Sequence, residues 1–215
     1  MIGIFKSEAK HRFIANIEIN NTIEECYISS SSHLLNMINL KNRKVLLKNN
    51  KNYSKRTKYT VQALWENQKI LLNLNYVNEI FEHYLKLKYK NHIIKREQII
   101  NNYKCDFLNV SINKIYEVKT LLNDKEYITF PNKTSQRCVM QLKCILNILD
   151  NYQMQYAFVL LNPNIKKIKI IKNTEFYFLF TEAIKKGMQL SFYSVCWENK
   201  DCYINKIKDI PLEYN

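Results

Sequence analysis

Residues 105–119 read CDFLNVSINKIYEVK, the pattern of two short strands joined by a turn at Ser111–Lys114. Side chains alternate between the two faces of a strand, so Glu117 and Lys119 lie on the same face. If the two strands pair as a hairpin, Asp106 approaches Glu117 from the neighbouring strand. The sequence therefore predicts a small volume that holds two carboxylates and one ammonium group.

This grouping suits a divalent metal site. Magnesium binds oxygen ligands and usually takes one or two carboxylates, which Asp106 and Glu117 can supply, together with waters and a substrate phosphate. Such a metal activates a water, and Lys119 can orient that water or neutralise charge on the phosphate. The implied reaction is phosphodiester hydrolysis. On spacing alone, however, the pattern is more typical of a cross-strand ion pair on an exposed strand, with no catalytic role.

The charge of the chain favours an anionic partner. Its 215 residues include 33 Lys and Arg against 19 Asp and Glu, a formal charge of +14. Nucleic acid, either DNA or RNA, is the foremost candidate; a membrane surface and a merely well-solvated lysine-rich surface are the alternatives. No apolar run approaches the roughly 20 residues that span a bilayer, so we expect no membrane partner. Without a signal peptide, six cysteines indicate a reducing, cytoplasmic location.

Several classes of function are excluded by composition. The only glycines are Gly3 and Gly187, whereas phosphate-binding loops and dinucleotide-binding fingerprints need several closely spaced glycines. All four histidines precede the hairpin. A histidine-based nuclease and a multi-histidine zinc site in the second half are therefore excluded.

Strand-like segments dominate the first third of the chain and predict a small barrel of the oligonucleotide-binding (OB) type over residues 1–78. The five segments are residues 12–19, 23–29, 45–48, 57–65 and 70–74. A basic loop with interleaved tyrosines, Lys48–Tyr59, predicts contacts with a nucleic-acid backbone and its bases. A solvated polar loop is the alternative.

The remainder, residues 79–215, alternates helical and strand patterns and predicts an α/β domain around a mixed sheet. Asn75 or Asn78 can cap the helix that connects the two parts, and Gly187 closes a later one. The expected helices are residues 76–88, about 135–149 and 174–186. Besides the hairpin, the expected strands are residues 93–100, 156–161, 167–171 and 190–197.

At nearly full length, the sequence resembles the sugar fermentation stimulation protein family (SfsA-like). The resemblance rests on Arg12-Phe13 and residues 56–61 near the N-terminus. In the second half it rests on Asp106-Phe107, Glu117-Val118-Lys119, Phe130-Pro131 and Arg137, in the family's order and spacing. It implies an OB barrel followed by a nuclease-like domain of the PD-(D/E)xK type. It also implies a magnesium- or manganese-dependent site built from Asp106, Glu117 and Lys119, with metal bound by the two carboxylates.

Further site residues follow from the same resemblance. Glu97 matches a family glutamate that adds a carboxylate or orients a metal-bound water, the alternative being an exposed acid. Lys104 replaces an arginine and Gln141 replaces a histidine; both still offer hydrogen bonds to a phosphate. Arg137 either clamps a phosphate or forms a structural ion pair. The candidate nucleic-acid contacts are Arg12, Lys55, Arg56, Lys58, Tyr59, Lys104, Arg137 and Gln141.

Two functions from different classes remain open. The first is a nuclease that binds and cuts DNA or RNA. The second is a non-catalytic DNA-binding regulator of sugar-utilisation genes with a vestigial acidic site. The intact set of Asp106, Glu117 and Lys119 favours the nuclease, because clustered carboxylates repel an anionic ligand unless a cation is present. A protein-interaction module is disfavoured by the net charge.

Overall fold

The computed structural model describes residues 1–9, 13–29, 37–50, 57–67, 69–131 and 136–215. A closed five-stranded barrel comes first, followed by a six-stranded mixed sheet with helices on both faces. This confirms the predicted fold class. No helix in the described ranges is both long and apolar enough to cross a membrane.

The barrel is closed by a parallel pairing between its third and fifth strands, at Cys26 and Tyr59. The first strand pairs with the second and the fourth, giving the order β1-β2-β3-β5-β4-β1. A Cβ on Gly3 would lie 2.5 Å from a methyl group of Ile17, so glycine permits the close approach of β1 to β2. The strands are β1 (Ile2–Glu8), β2 (Ile14–Ile19), β3 (Thr22–Tyr27), β4 (Lys44–Asn49) and β5 (Tyr59–Trp65).

One barrel strand was not expected from the sequence. Strand β1 has a glycine at one inward position and apolar residues on both faces, with Ile2 43% exposed and Phe5 fully buried, which obscures its period of two. The expected strand at residues 70–74 is instead β6 (Lys69–Leu71), which pairs with β5 outside the closed barrel.

Three parallel strands form the centre of the second sheet, whose order is β16-β15-β13-β11-β10-β7 with antiparallel pairs at both edges. A two-stranded and a three-stranded sheet lie beside it. The helices are α1 (Asn75–Lys88), α2 (Gln136–Leu146) and α3 (Glu175–Lys185). The strands are β7 (Ile94–Arg96), β8 (Ile99–Ile100), β9 (Tyr103–Lys104), β10 (Phe107–Asn109), β11 (Lys114–Leu121), β12 (Tyr127–Thr129), β13 (Gln153–Leu160), β14 (Lys167–Ile170), β15 (Gln189–Glu198), β16 (Asp201–Lys206) and β17 (Leu212–Tyr214).

The two faces of the large sheet belong to different hydrophobic clusters. Tyr116 and Val159 join helix α1 and the barrel in one contiguous core. Ile115 and Phe158 face the other way and pack with α2 and α3. Because residues alternate along β11, Glu117 lies on the face covered by α2 and α3, away from the barrel core.

The expected end of α3 before Gly187 is present, whereas the expected cap of α1 and the expected strand over residues 93–100 are not. Thr174 caps α3 by accepting a hydrogen bond from the backbone N–H of Tyr177 at 3.1 Å, and Gly187 follows that helix with φ of 104°. The expected cap of α1 is wrong, because Leu74 occupies the cap position and no side chain caps the helix. The continuous strand expected over residues 93–100 is also wrong, because Glu97 has a left-handed φ of 51° that separates β7 from β8.

Candidate active site

The hairpin predicted from residues 105–119 is present. A 3₁₀ turn at Val110–Ile112 joins β10 to β11, and Phe107 pairs with Tyr116. Asp106 immediately precedes that pair, and its Oδ2 accepts a hydrogen bond of 2.7 Å from the backbone N–H of Val118. The register therefore holds the Asp106 carboxylate beside Glu117, as the sequence predicts.

Glu117 is the most buried charged residue of the site, with 2% of its surface exposed. Its Oε2 accepts a hydrogen bond from the hydroxyl of Tyr103 at 2.5 Å. Its Oε1 accepts from Lys119 Nζ at 2.6 Å and from Gln141 Nε2 at 2.5 Å. Donors from β9, β11 and α2 thus hold both oxygens of this carboxylate in one orientation.

Lys119 completes the cluster from the same face of β11. Its Nζ also donates to Gln141 Oε1 at 2.6 Å, and the ammonium lies 5.6 Å from the centre of the Tyr156 ring. The Lys119 side chain is 16% exposed, against 3% for that of Glu117. The lysine therefore lies between the buried carboxylate and the solvent, where it can reach both Glu117 and a ligand.

Asp106 has a raised pKa of about 6. Burial is the largest cause and the neighbouring Glu117 carboxylate is the second, while the N–H of Val118 and the ammonium of Lys119 act in the opposite direction. Two adjacent carboxylates with one lysine leave the site short of positive charge. A cation placed between Asp106 and Glu117 would relieve that shortage.

The free energy of unfolding is expected to fall as the pH rises from about 4 to about 6 in the presence of a chelator. The Asp106 carboxyl has a pKa of about 6 in the folded chain against an ordinary value of 3.8, so the folded state binds this proton more tightly. This stabilisation is fully present when the pH is below the ordinary pKa of 3.8 and is lost when the pH exceeds the folded-state pKa of about 6. It amounts to about 3 kcal/mol.

Urea unfolding across this pH range, with Asp106→Asn as the reference, measures the effect. Glu117, Lys119 and Glu97 are the charged groups that act on Asp106. The difference in stability between wild type and variant should change with pH in the stated direction. A difference that is constant between pH 4 and pH 7 would contradict the assignment.

The three central residues open into a cavity of about 420 Å³. Helix α2 contributes Arg137, Cys138 and Gln141 to its wall. Arg137 is exposed and, among the residues that the structure describes, forms no salt bridge. An unpaired guanidinium at this position suits the phosphate clamp better than the structural ion pair that was its alternative.

Glu97 and Lys104 lie at the mouth of the cavity and bind each other. Lys104 Nζ donates to Glu97 Oε2 at 2.7 Å, with the two side chains 59% and 61% exposed. This hydrogen bond is the main reason that the pKa of Glu97 is lowered. The Glu97 N–H donates to the carbonyl oxygen of Asp106 at 3.0 Å, and the Glu97 carboxylate acts on that of Asp106 through charge as the last of the causes of its raised pKa. Glu97 therefore lies at the rim and not in the central cluster.

The candidate nucleic-acid contacts in the barrel are only partly described. Arg12, Lys55 and Arg56 lie outside the described residues. The Lys58 ammonium lies 5.2 Å from the ring centre of Tyr59, at the start of β5. Tyr59 is only 6% exposed and packs in the barrel core, which corrects the expectation that its ring stacks on a base.

The contacts of Gln141 differ from those expected from the sequence, and the contact of Tyr103 with Glu117 was not expected at all. Gln141 was expected to contact phosphate, but both ends of its amide contact the Glu117–Lys119 pair. Tyr103 was not singled out, because a tyrosine in a β-prone segment gives no local sign that its hydroxyl will meet a carboxylate from another strand.

Tyr103→Phe should destabilise the protein by about 1.5–3 kcal/mol, because it removes a hydrogen bond to a charged, buried acceptor. Tyr116→Phe is the matched control: that hydroxyl donates to a neutral oxygen, Tyr89 OH, at 2.9 Å, and its loss should cost about 0.5–1.5 kcal/mol. Urea unfolding of both variants gives the comparison. A smaller loss for Tyr103→Phe than for Tyr116→Phe would refute the role given to Tyr103.

A third oxygen joins the two carboxylates at the site. Within a strand, the N–H and the carbonyl of one residue point toward the same side. Since the N–H of Val118 is bonded to Asp106, the Val118 carbonyl also faces this side. No group of three or more His, Cys, Asp and Glu side chains suited to a metal occurs in the described ranges. The two carboxylates and this carbonyl offer oxygen ligands, which a hard divalent cation prefers.

Comparison with known proteins identifies the family. Residues 75–201 match the family model described as the sugar fermentation stimulation protein RE domain. The chain belongs to the sugar fermentation stimulation protein family. The matched segment of this SfsA protein begins where α1 begins and contains Asp106, Glu117 and Lys119. The family resemblance stated from the sequence is thereby confirmed.

Two curated relatives carry the description sugar fermentation stimulation protein homolog. The one from Aquifex aeolicus (strain VF5) is 24% identical over 183 residues, which is 84% of this chain and 84% of the relative. The one from Clostridium novyi (strain NT) is 28% identical over 220 residues, which is 94% of this chain and 92% of the relative. The similarity to SfsA proteins thus extends beyond the matched domain into the barrel.

A solved structure, that of Pyrococcus furiosus SfsA in complex with Ca²⁺, has the same fold. It superposes with a TM-score of 0.75 and covers 99% of this chain and 95% of that chain, at 19% sequence identity. The match confirms that the barrel and the mixed sheet form an SfsA fold over the length of the chain.

Proposed function

We propose that this SfsA protein is a divalent-cation-dependent nuclease that hydrolyses phosphodiester bonds of DNA or RNA. The observation that carries the proposal is the Asp106–Glu117–Lys119 cluster at the base of an open cavity. The chain has a formal charge of +14, which favours an anionic ligand, but two carboxylates held side by side would repel that ligand if the site only bound anions. With a cation between them, they make a site for phosphate.

Magnesium or manganese is the cofactor that the proposal assigns to Asp106, Glu117 and the carbonyl of Val118. The oxygen ligands offered by these three residues and the raised pKa of Asp106 both support a cation there. The related Pyrococcus furiosus protein was solved with Ca²⁺, which adds support for a divalent site in the same fold. When bound, the cation would polarise the scissile phosphate and lower the pKa of an attacking water.

The protein's own groups have distinct tasks in this proposal. Tyr103 and Gln141 fix the orientation of Glu117, so that its carboxylate needs no reorganisation when a ligand arrives. Lys119 directs an N–H at the attacking water or at the charge that develops on the phosphate. Arg137 and Lys104, at the wall and mouth of the cavity, bind neighbouring phosphates of the strand.

One observation favours the second candidate, a DNA-binding regulator without catalysis. Lys119 already neutralises Glu117 within a closed set of hydrogen bonds. A protein that only binds DNA could keep such a set for stability. The raised pKa of Asp106 argues the other way, because a purely structural site would gain stability by replacing that carboxylate.

A cytoplasmic location belongs to the same proposal. None of the six cysteines forms a disulfide, which accords with a reducing compartment. Nucleic acid is the partner that the proposal names.

Cleavage of end-labelled DNA and RNA, single-stranded and duplex, tests the function. Reactions with magnesium, with manganese and with chelator should give products only when the metal is present. If the protein binds these nucleic acids but cuts none of them, the regulator becomes the better account. If it neither binds nor cuts them, both candidates fail.

A further inference from the structure

An exposed tyrosine between two lysines stands on the small three-stranded sheet β12-β14-β17. Tyr127 is 41% exposed. The ammonium of Lys169 lies 4.5 Å from its ring centre and that of Lys125 lies 5.9 Å from it. None of these three residues belongs to the catalytic cavity.

The register of the small sheet explains why this face is polar. Tyr127 pairs with Lys167 in parallel β14, and alternation places Ile128 and Ile168 on the buried side. Two other lysines are neutralised at 2.7 Å, Lys166 by Glu126 and Lys167 by Glu213. Lys125 and Lys169, by contrast, form no salt bridge with any residue of the described ranges. Lys169 acts on Glu213 only as a minor cause of the lowered pKa of that carboxyl, behind the direct partner Lys167, so both ammonium groups can still contact an anion beside the ring.

A cavity of about 430 Å³ adjoins Tyr127, with walls from Leu122–Lys125 and Tyr127–Thr129 on one side and Met37–Asn39 of the barrel half on the other. Strand β11 connects it to the catalytic site, because Leu122 follows Lys119 by three residues, roughly 10 Å of extended chain. Beyond Thr129, the chain continues to α2, which carries Arg137. The wall formed by Leu122–Lys125 and Tyr127–Thr129 therefore lies in the chain between Lys119 and Arg137, both of which line the catalytic cavity.

We propose that Tyr127, Lys125 and Lys169 form a subsite that stacks an unpaired base and holds its phosphate, so that the substrate is a single strand of nucleic acid. The inference rests on the proposed nuclease function and specifies its substrate. An unpaired base has a free π-face for an aromatic ring, whereas bases of a duplex are already stacked on each other. The long lysine side chains supply the positive charge that follows the backbone.

Fluorescence anisotropy with a labelled, uncleavable oligothymidylate, and with an uncleavable duplex of the same length, tests the subsite in the presence of magnesium. Tyr127→Ala should weaken single-strand binding about tenfold or more, because it removes one stacking platform. Tyr127→Phe keeps the ring and should bind like wild type. Tyr203→Ala is the matched control, since Tyr203 is 42% exposed on β16, an edge strand of the large sheet and not of the sheet that carries Tyr127, and should leave binding unchanged.

The outcomes separate this inference from the proposed function. Single-strand binding that is lost in Tyr127→Ala, kept in Tyr127→Phe and kept in Tyr203→Ala supports the subsite. Wild-type affinity in Tyr127→Ala, or an equal loss for single strand and duplex, overturns it while metal-dependent cleavage by wild type still upholds the nuclease. A wild-type protein that binds no nucleic acid overturns both.

Discussion

Asp106→Asn should lower metal-dependent cleavage by about a thousandfold or more, because the substitution removes a metal-binding carboxylate while keeping the side chain's shape. In wild type, the N–H of Val118 donates a hydrogen bond of 2.7 Å to the Asp106 carboxylate. The fold should survive the substitution, because the amide oxygen of the asparagine can accept the same hydrogen bond. Without metal at neutral pH, the variant should be at least as stable as wild type. The raised pKa of Asp106, about 6, means that its ionised form is unfavourable there.

Single-turnover cleavage measures the expected loss of activity in Asp106→Asn, and urea unfolding measures the stability that the variant should keep or gain. Asp150→Asn is the control, because Asp150 is exposed in the turn after α2 and should change neither quantity. Retention of cleavage within tenfold of wild type in Asp106→Asn would show that this carboxylate does not hold the metal.

Lys119→Met should lower the cleavage rate by about 10²–10⁴-fold and destabilise the protein as well. The Glu117 side chain is 3% exposed, and losing its ammonium partner leaves a buried charge that is only partly compensated. Breaking such a pair costs about 3–5 kcal/mol, and the donors Tyr103 and Gln141 should keep the loss near the lower limit. A divalent cation at the carboxylate pair should restore part of that stability.

Thermal unfolding of Lys119→Met with and without magnesium measures both effects. Lys166→Met is the matched control: its ion pair with Glu126 has a similar length, 2.7 Å, but the two side chains are 68% and 67% exposed. The control should lose about 1 kcal/mol or less, with no magnesium-dependent recovery. Equal losses in the two variants, or no response of Lys119→Met to magnesium, would contradict the account of the cluster.

Much of the hairpin that carries Asp106, Glu117 and Lys119 could be predicted from local sequence. The alternation of Glu117, Val118 and Lys119 fixes which side chains share a face. A turn was expected at Ser111–Lys114 and lies one residue earlier, at Val110–Asn113, so the sequence correctly indicated which strand returns beside it. The end of helix α3 before Gly187 is likewise a local feature. These predictions succeeded because each depends on residues close together in the chain.

Other features depend on partners that are distant in sequence. Strand β1 is recognisable only through its pairing with β2 and β4, because its own pattern is interrupted by Gly3. Burial of Tyr59 follows from closure of the barrel, which no local pattern reveals. Tyr103 and Gln141 reach Glu117 from β9 and α2, so their role required the tertiary structure.

Crystallography with Mn²⁺ and an uncleavable oligonucleotide would test the central claim most directly. The account predicts an anomalous manganese peak bound by carboxylate oxygens of Asp106 and Glu117 and by the Val118 carbonyl, with a backbone phosphate against the metal in the 420 Å³ cavity. Manganese bound elsewhere, or an oligonucleotide whose phosphates avoid this cavity while Lys119 and Glu117 keep their contact, would contradict it.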